Sequence, residues 1–125
     1  MITASNSHRA RRKGLGDFGE KFAAEWLQSQ GFKITAKNYT SAYGEIDIIA
    51  SKDNVISFVE VKARRSKYFP ISQVITRTKQ ERLIKTAKMF SSEFDCSNHV
   101  MRFDVALILG DQDPQINYIT NAFSE

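Results

Sequence analysis

The chain has 125 residues, 42% of them hydrophobic and 26% charged, which suits one compact domain with one core and leaves little room for two. The only cysteine, Cys96, excludes an internal disulfide, and with just His8 and His99 beside it there is no Cys/His metal-ligand cluster. The net charge of +4 is unevenly placed: Arg9, Arg11, Arg12 and Lys13 lie in an acid-free first stretch, residues 62–88 set nine basic side chains against Glu81 alone, and the rest of the body is acidic.

In chain order, residues 1–14 read as a basic flexible arm and 15–125 as a single domain. The arm lacks the apolar stretch of a signal peptide, and no apolar run reaches the roughly 20 residues that span a bilayer. The expectation is a soluble, cytoplasmic protein with no membrane partner. Leu15, Phe18, Phe22, Trp26 and Leu27 recur at helical spacing, and Gly31 follows as a stop. Residues 32–40 alternate as a first strand, and 44–50 and 55–64 supply the second and third around the polar turn Ser51-Lys52-Asp53-Asn54. Thr78-Lys79-Gln80-Glu81 has the form of a capping box, with Leu83, Ile84, Ala87 and Phe90 behind it, so a second helix should run to about Glu93. Two last strands begin at Arg102 and Gln115. The order α-β-β-β-α-β-β predicts an α/β domain, a mixed central β-sheet flanked by α-helices.

The second and third strands carry charges where a plain hairpin carries Val or Thr. With a turn centred on Lys52 and Asp53, odd positions pair with even ones, so Glu45, Asp47, Glu60 and Lys62 project from one face, while Ile46, Ile48 and Ala50 share the other. Neighbouring carboxylates repel, and a divalent cation is the natural relief. Mg²⁺ takes carboxylate and carbonyl oxygens and keeps water, which suits Asp47, Glu60 and the carbonyl of Val61. Lys62, two residues from Glu60, could reach the same phosphate in a hydrolysis. A salt-bridge ladder in which Lys62 neutralises Glu45 and Glu60 fits the same spacing. The basic run that begins in this hairpin could carry a phosphate backbone to the acids, or be a solvated helix face.

Asp47, followed after the turn by Glu60-Val61-Lys62, resembles the PD-(D/E)xK signature of restriction-endonuclease-like nucleases. More narrowly, the chain resembles the YraN family of Holliday-junction-resolvase-like proteins. The matching pieces are Gly16-Asp17-Phe18-Gly19-Glu20, Gly44-Glu45-Ile46-Asp47-Ile48-Ile49-Ala50, Phe58-Val59-Glu60-Val61-Lys62-Ala63-Arg64, Lys79 with Arg82-Leu83, and Arg102-Phe103-Asp104-Val105. The resemblance implies a restriction-endonuclease-like fold and a Mg²⁺- or Mn²⁺-dependent nuclease acting on DNA rather than RNA, branched or single-stranded. A nucleic-acid-binding module that keeps this fold without efficient cleavage is the alternative. The resemblance makes Asp47 and Glu60 metal ligands, Lys62 the catalytic lysine, Glu20 a supporting acid and Glu45 a neighbour of the ligands or of Lys62. Asp47 follows Ile46 and not the Pro of the superfamily's name.

Arg64, Arg65, Arg77, Lys79 and Arg82 are candidates for nucleic-acid contact. Lys79 flanks the apolar stripe of its helix and could reach the site or face solvent. Tyr43 and Tyr68, in expected loops, could stack on bases. Asp104 could face solvent or pair with other charges. Tyr68-Phe69-Pro70-Ile71 is a candidate interface for a homodimer, which two-fold junction cleavage would call for. Gly14-Leu15-Gly16-Asp17-Phe18-Gly19 fits G-x-G-x-x-G but follows no strand, so the phosphate-cradling geometry has nothing to rest on.

Overall fold

A computed structural model describes residues 4–65, 74–110 and 112–125, with side chains from residue 14 onward. Helix α1 (Ala4–Ser29) is followed by strands β1 (Lys33–Ser41), β2 (Gly44–Lys52) and β3 (Val55–Arg64), helix α2 (Arg77–Glu93), and strands β4 (Val100–Leu109) and β5 (Gln115–Phe123). The order is the expected one. One five-stranded sheet runs β1-β2-β3-β4-β5; β3 and β4 are parallel and the other neighbours antiparallel. Parallel neighbours need a crossover, and α2 supplies it. No helix among the described residues is long and apolar enough to cross a membrane.

The central strands are buried on both faces, so β3 and β4 read as nearly continuous apolar runs. Alternation then sorts them. Val59, Val61, Ala63, Ala106 and Ile108 pack with Ala23, Ala24 and Leu27 of α1. Ile56, Phe58, Phe103, Val105 and Leu107 pack with Leu83, Ala87 and Phe90 of α2 on the opposite face. At Gly19, α1 approaches β3 so closely that an added Cβ would lie 2.8 Å from the Cβ of Ala63. Glycine at this position is what lets the helix settle on the strand, and it fixes the height at which the next residue, Glu20, stands.

Several local readings need correction. The helix begins at Ala4, ahead of Leu15; the side chains of Arg9 to Lys13 lie outside the described residues, as does Tyr68-Phe69-Pro70-Ile71. Helix α1 ends as expected, in a left-handed Gly31 (φ 94°) with Phe32 N–H donating to the Leu27 carbonyl and Gly31 N–H to that of Gln28. Helix α2 is capped by Thr76 and not by Thr78: the Thr76 hydroxyl accepts from the Lys79 backbone N–H at 3.2 Å. The β2–β3 turn is centred on Asp53 and Asn54, since Lys52 pairs with Val55. Relative to a turn on Lys52 and Asp53 this moves every partner by two residues, which leaves the faces unchanged and brings Asp47, not Glu45, level with Glu60.

Candidate functional site

The β2–β3 ladder pairs residue by residue from Lys52↔Val55 up to Ile48↔Val59, its last pair. One step beyond, the Asp47 side chain takes over the backbone's role: its Oδ2 accepts from the Val61 N–H at 2.8 Å. A carboxylate bonded to a ladder N–H lies in the seam between the strands. In an extended strand the N–H and C=O of one residue face the same neighbour, so the Val61 carbonyl faces this seam too.

The strand β2 changes phase at this point. Ile48 and Ala50 pack on the α1 side, whereas Ile46, expected to share their face, packs on the α2 side with Ile49, Leu83 and Phe90. Opposite Asp47 stands Asn38, between the pairs Lys37↔Ile48 and Tyr39↔Ile46, with φ at 53°. Asn38 is thus left-handed where β2 changes side, while the pairing keeps its register past it and shifts only between Ile34 and Ala36. One shared face for Glu45, Asp47, Glu60 and Lys62 is therefore wrong for Glu45. The Asn38 amide, with its NH₂ towards them, donates to Glu45 Oε1 (2.9 Å) and Glu20 Oε1 (3.2 Å). Glu45, exposed, shares the Asn38 amide with Glu20 of α1 and also lines a cavity against α2; Glu60 and Lys62 follow Ile56 and Phe58 onto the α2 side; Asp47 lies between.

Burial and charge make this a strained set of acids. Asp47 is pushed up to about 7, first by burial and then by the Glu60 charge, against the stabilising Val61 N–H, with Glu20 adding to the rise and Lys79 opposing it. Glu20 is also raised, chiefly by burial, with the Asn38 amide opposing and Glu45 reinforcing. Lys62 is lowered by burial and by the charges of Lys79 and Arg64, while Glu60 and Asp47 pull it up. The Lys79 ammonium, reaching in from the first turn of α2, lies 2.6 Å from Glu60 Oε1, whose side chain is 8% exposed. Lys79 thus reaches the acids while its side chain stays 34% exposed.

The donor set is oxygen only: two carboxylates and a carbonyl-bearing seam. Repulsion between Asp47 and Glu60 is what a divalent cation relieves, so the residues fit a hard ion. Among the described residues no group of three or more His, Cys, Asp or Glu forms a cage, which leaves an ion here to complete its shell with water and ligand oxygens. Beside Lys79, a cavity of about 320 Å³ lined by Gly44, Glu45, Thr76, Lys79 and Arg82 opens towards the surface.

The other expected residues fall around this point. Arg64 and Arg65 are exposed where β3 ends, and Arg82 is exposed on α2. Arg77 Nε lies 3.8 Å from Glu81 one helical turn on. Asp104 does not belong to the site. It is fully buried on the α1 side, bound by Arg102 (Nε–Oδ1 3.0 Å), the Tyr118 hydroxyl (2.6 Å) and the Asn121 N–H (2.9 Å). Tyr43 is 48% exposed in the β1–β2 turn, and Cys96 is a half-buried free thiol against the α2-side core.

A profile described as "Uncharacterised protein family UPF0102" matches residues 19–108 of this chain. The chain belongs to this family. UPF0102 proteins similar to it include one from Alkaliphilus metalliredigens, 38% identical over 112 residues, covering 89% of this chain and 98% of the relative. Another, from a Sulfurihydrogenibium species, is 46% identical over 110 residues, covering 87% and 93%. A third, from Treponema pallidum, is 41% identical over 119 residues, covering 90% and 94%. The UPF0102 match begins at Gly19, the close-approach glycine, and takes in Glu20, the hairpin acids, Lys62, Lys79 and Arg82. Two residues of this UPF0102 site escape sequence reasoning. Asn38 is visible only as the first residue of the acceptor triplet Asn38-Tyr39-Thr40, which carries no weight without a secretion signal, and as a residue type that tolerates left-handed backbone. Thr76 was hidden by the better-looking box at Thr78.

Proposed function

We propose that this UPF0102 protein is a metal-dependent nuclease of restriction-endonuclease-like type that hydrolyses phosphodiester bonds in DNA. The observation that carries the reading is the opened seam. There Asp47, level with Glu60 and bonded to Val61 N–H, is held at a raised pKa beside Lys62, inside a basic rim. Asp47, Glu60 and the Val61 carbonyl would hold Mg²⁺ or Mn²⁺. When bound, such an ion supplies charge stabilisation at the phosphate and acidifies water.

The chain's own groups do the rest. Lys62, on the face of Glu60, donates hydrogen bonds to a phosphate oxygen or orients the attacking water, and its lowered pKa eases the loss of a proton. Glu20 and Glu45, joined by Asn38, keep a second band of negative charge beyond Asp47, which favours cation capture over phosphate binding at that end. The exposed Arg64, Arg65 and Arg82 neutralise the DNA backbone on either side.

A second reading, a nucleic-acid-binding module without efficient cleavage, is favoured by one observation: the Lys79 ammonium already neutralises Glu60 at 2.6 Å. One assay separates them. Labelled junction, flap, single-stranded and linear DNA are incubated with the protein in Mg²⁺ or Mn²⁺. Cleavage that falls at least about 100-fold in Asp47→Asn, Glu60→Gln and Lys62→Ala supports hydrolysis at this site. Salt-dependent binding without cleavage supports the binding module; cleavage unchanged in all three variants refutes the assignment of the site.

A further inference from the structure

The cavity beside Lys79 does not end there. Arg82 and Gly44 line it and also line a second, larger cavity of about 570 Å³ between the β1–β2 turn and the exposed side of α2. The two form one cleft, running from Glu45 and Lys79 at the acids to Tyr43 and Lys85 at the outer lip. Its walls are fixed to one another. Thr86, fully buried on α2, shares a 3.0 Å hydrogen bond with the Ser41 hydroxyl, and that same oxygen accepts from the Tyr43 backbone N–H at 3.0 Å. The turn that carries Tyr43 is thereby tied to the helix that carries Arg82 and Lys85. At the lip, the Lys85 ammonium sits 5.5 Å from the centre of the half-exposed Tyr43 ring.

We propose that this cleft binds an unpaired DNA strand, with Tyr43 as the platform for a base and Arg82, Lys85 and Lys79 taking successive phosphates towards the acids. The proposal rests on the nuclease reading for its polarity and names the substrate class of that site as single-stranded. An exposed aromatic ring beside cations is the combination that holds single strands, because every base has a π-face and every linkage a charge. Base readout in a duplex needs an element that enters a groove about 12 Å wide, whereas an aromatic platform inside a cleft meets bases that are already out of the stack. Glu81 also lines the cleft, an acid against the three cations, with Arg77 Nε 3.8 Å from its carboxylate.

The test is fluorescence anisotropy with labelled oligo-dT and with a blunt duplex of equal length, in EDTA so that nothing is cleaved, for the full chain and for Tyr43→Ala, Tyr43→Phe and Arg82→Ala. The proposal expects oligo-dT to bind more tightly than duplex, Tyr43→Ala to weaken oligo-dT binding roughly 5- to 100-fold while leaving duplex binding alone, and Tyr43→Phe to retain it. Arg82→Ala should weaken oligo-dT binding and flatten its salt dependence. Failure to bind oligo-dT, tighter binding of duplex, or a Tyr43→Ala variant that binds oligo-dT like the parent would overturn it. These outcomes are independent of hydrolysis. A Tyr43-dependent single-strand binder that never cuts sinks the nuclease reading alone, and a nuclease indifferent to Tyr43 sinks the cleft alone.

Discussion

Asp47 concentrates the chemistry of this site in one side chain. It replaces a ladder hydrogen bond with a carboxylate, at the residue where β2 changes phase, and burial makes its charge costly. The folded-state pKa, about 7, lies above the unfolded reference of 3.8. Between those values the folded protein keeps a proton that the unfolded chain has released, so this group's contribution to stability falls as pH rises from about 4 to about 7 and is level above. Asp47→Asn removes the charge while its amide oxygen can still accept from Val61. In metal-free solution the variant should match the parent near pH 4 and exceed it at pH 8, by on the order of 2 kcal/mol, measured by urea unfolding. A variant less stable than the parent at pH 8 would show that Asp47 is not strained. Asp104 is the contrast within the same fold. It is more deeply buried, yet the hydrogen bonds from Arg102, Tyr118 and Asn121 satisfy it, and among the described residues no buried side-chain polar atom lacks a partner.

The elements place these residues by close contact. Helix α1 can hold Glu20 over the seam only because Gly19 leaves room for Ala63. A methyl at 2.8 Å must push the helix outwards, since Ala63 is itself held in the central strand. Gly19→Ala should therefore destabilise the fold by about 1–3 kcal/mol, even though alanine in an unconstrained helix would gain about 1 kcal/mol over glycine. Thermal unfolding decides the sign; a rise in Tm would mean that the helix does not need this approach. The other helix contributes by its start. With Thr76 as cap, Lys79 falls in the first turn, from which its ammonium reaches down to Glu60.

Across the molecule, the sequence makes the element order, the mixed sheet with flanking helices and the β2–β3 hairpin legible, because helical and strand periods are distinct. The parallel β3–β4 pair and the second apolar face are not legible, since strands buried on both sides lose their alternation. The sequence also identifies Asp47, Glu60 and Lys62 as neighbours, since moving the turn's centre by one residue shifts every partner by two and preserves their face. The position of Glu45 was not legible. Alternation assumes a regular strand, and Ile46 turns to the α2 side where the facing β1 residue, Asn38, is left-handed, a backbone state that the residue type permits but does not announce. Nor was the reach of Lys79, which depends on where α2 crosses the sheet and not on the stripe that packs it. The early start of α1 at Ala4 has no acid in its first turn to announce it. What results is a sheet opened at one seam, with acids along one side and cations along the other.

The proposed cation site in this seam is open to direct measurement. Isothermal titration of Mn²⁺ into the metal-free protein at pH 7.5, repeated with Asp47→Asn and Glu60→Gln, tests it most directly. One ion per chain is expected for the parent, with only a fraction of a proton released, since Asp47 is already mostly ionised at this pH, and loss of binding in both variants. No binding to the parent, or the same binding in all three proteins, would contradict it.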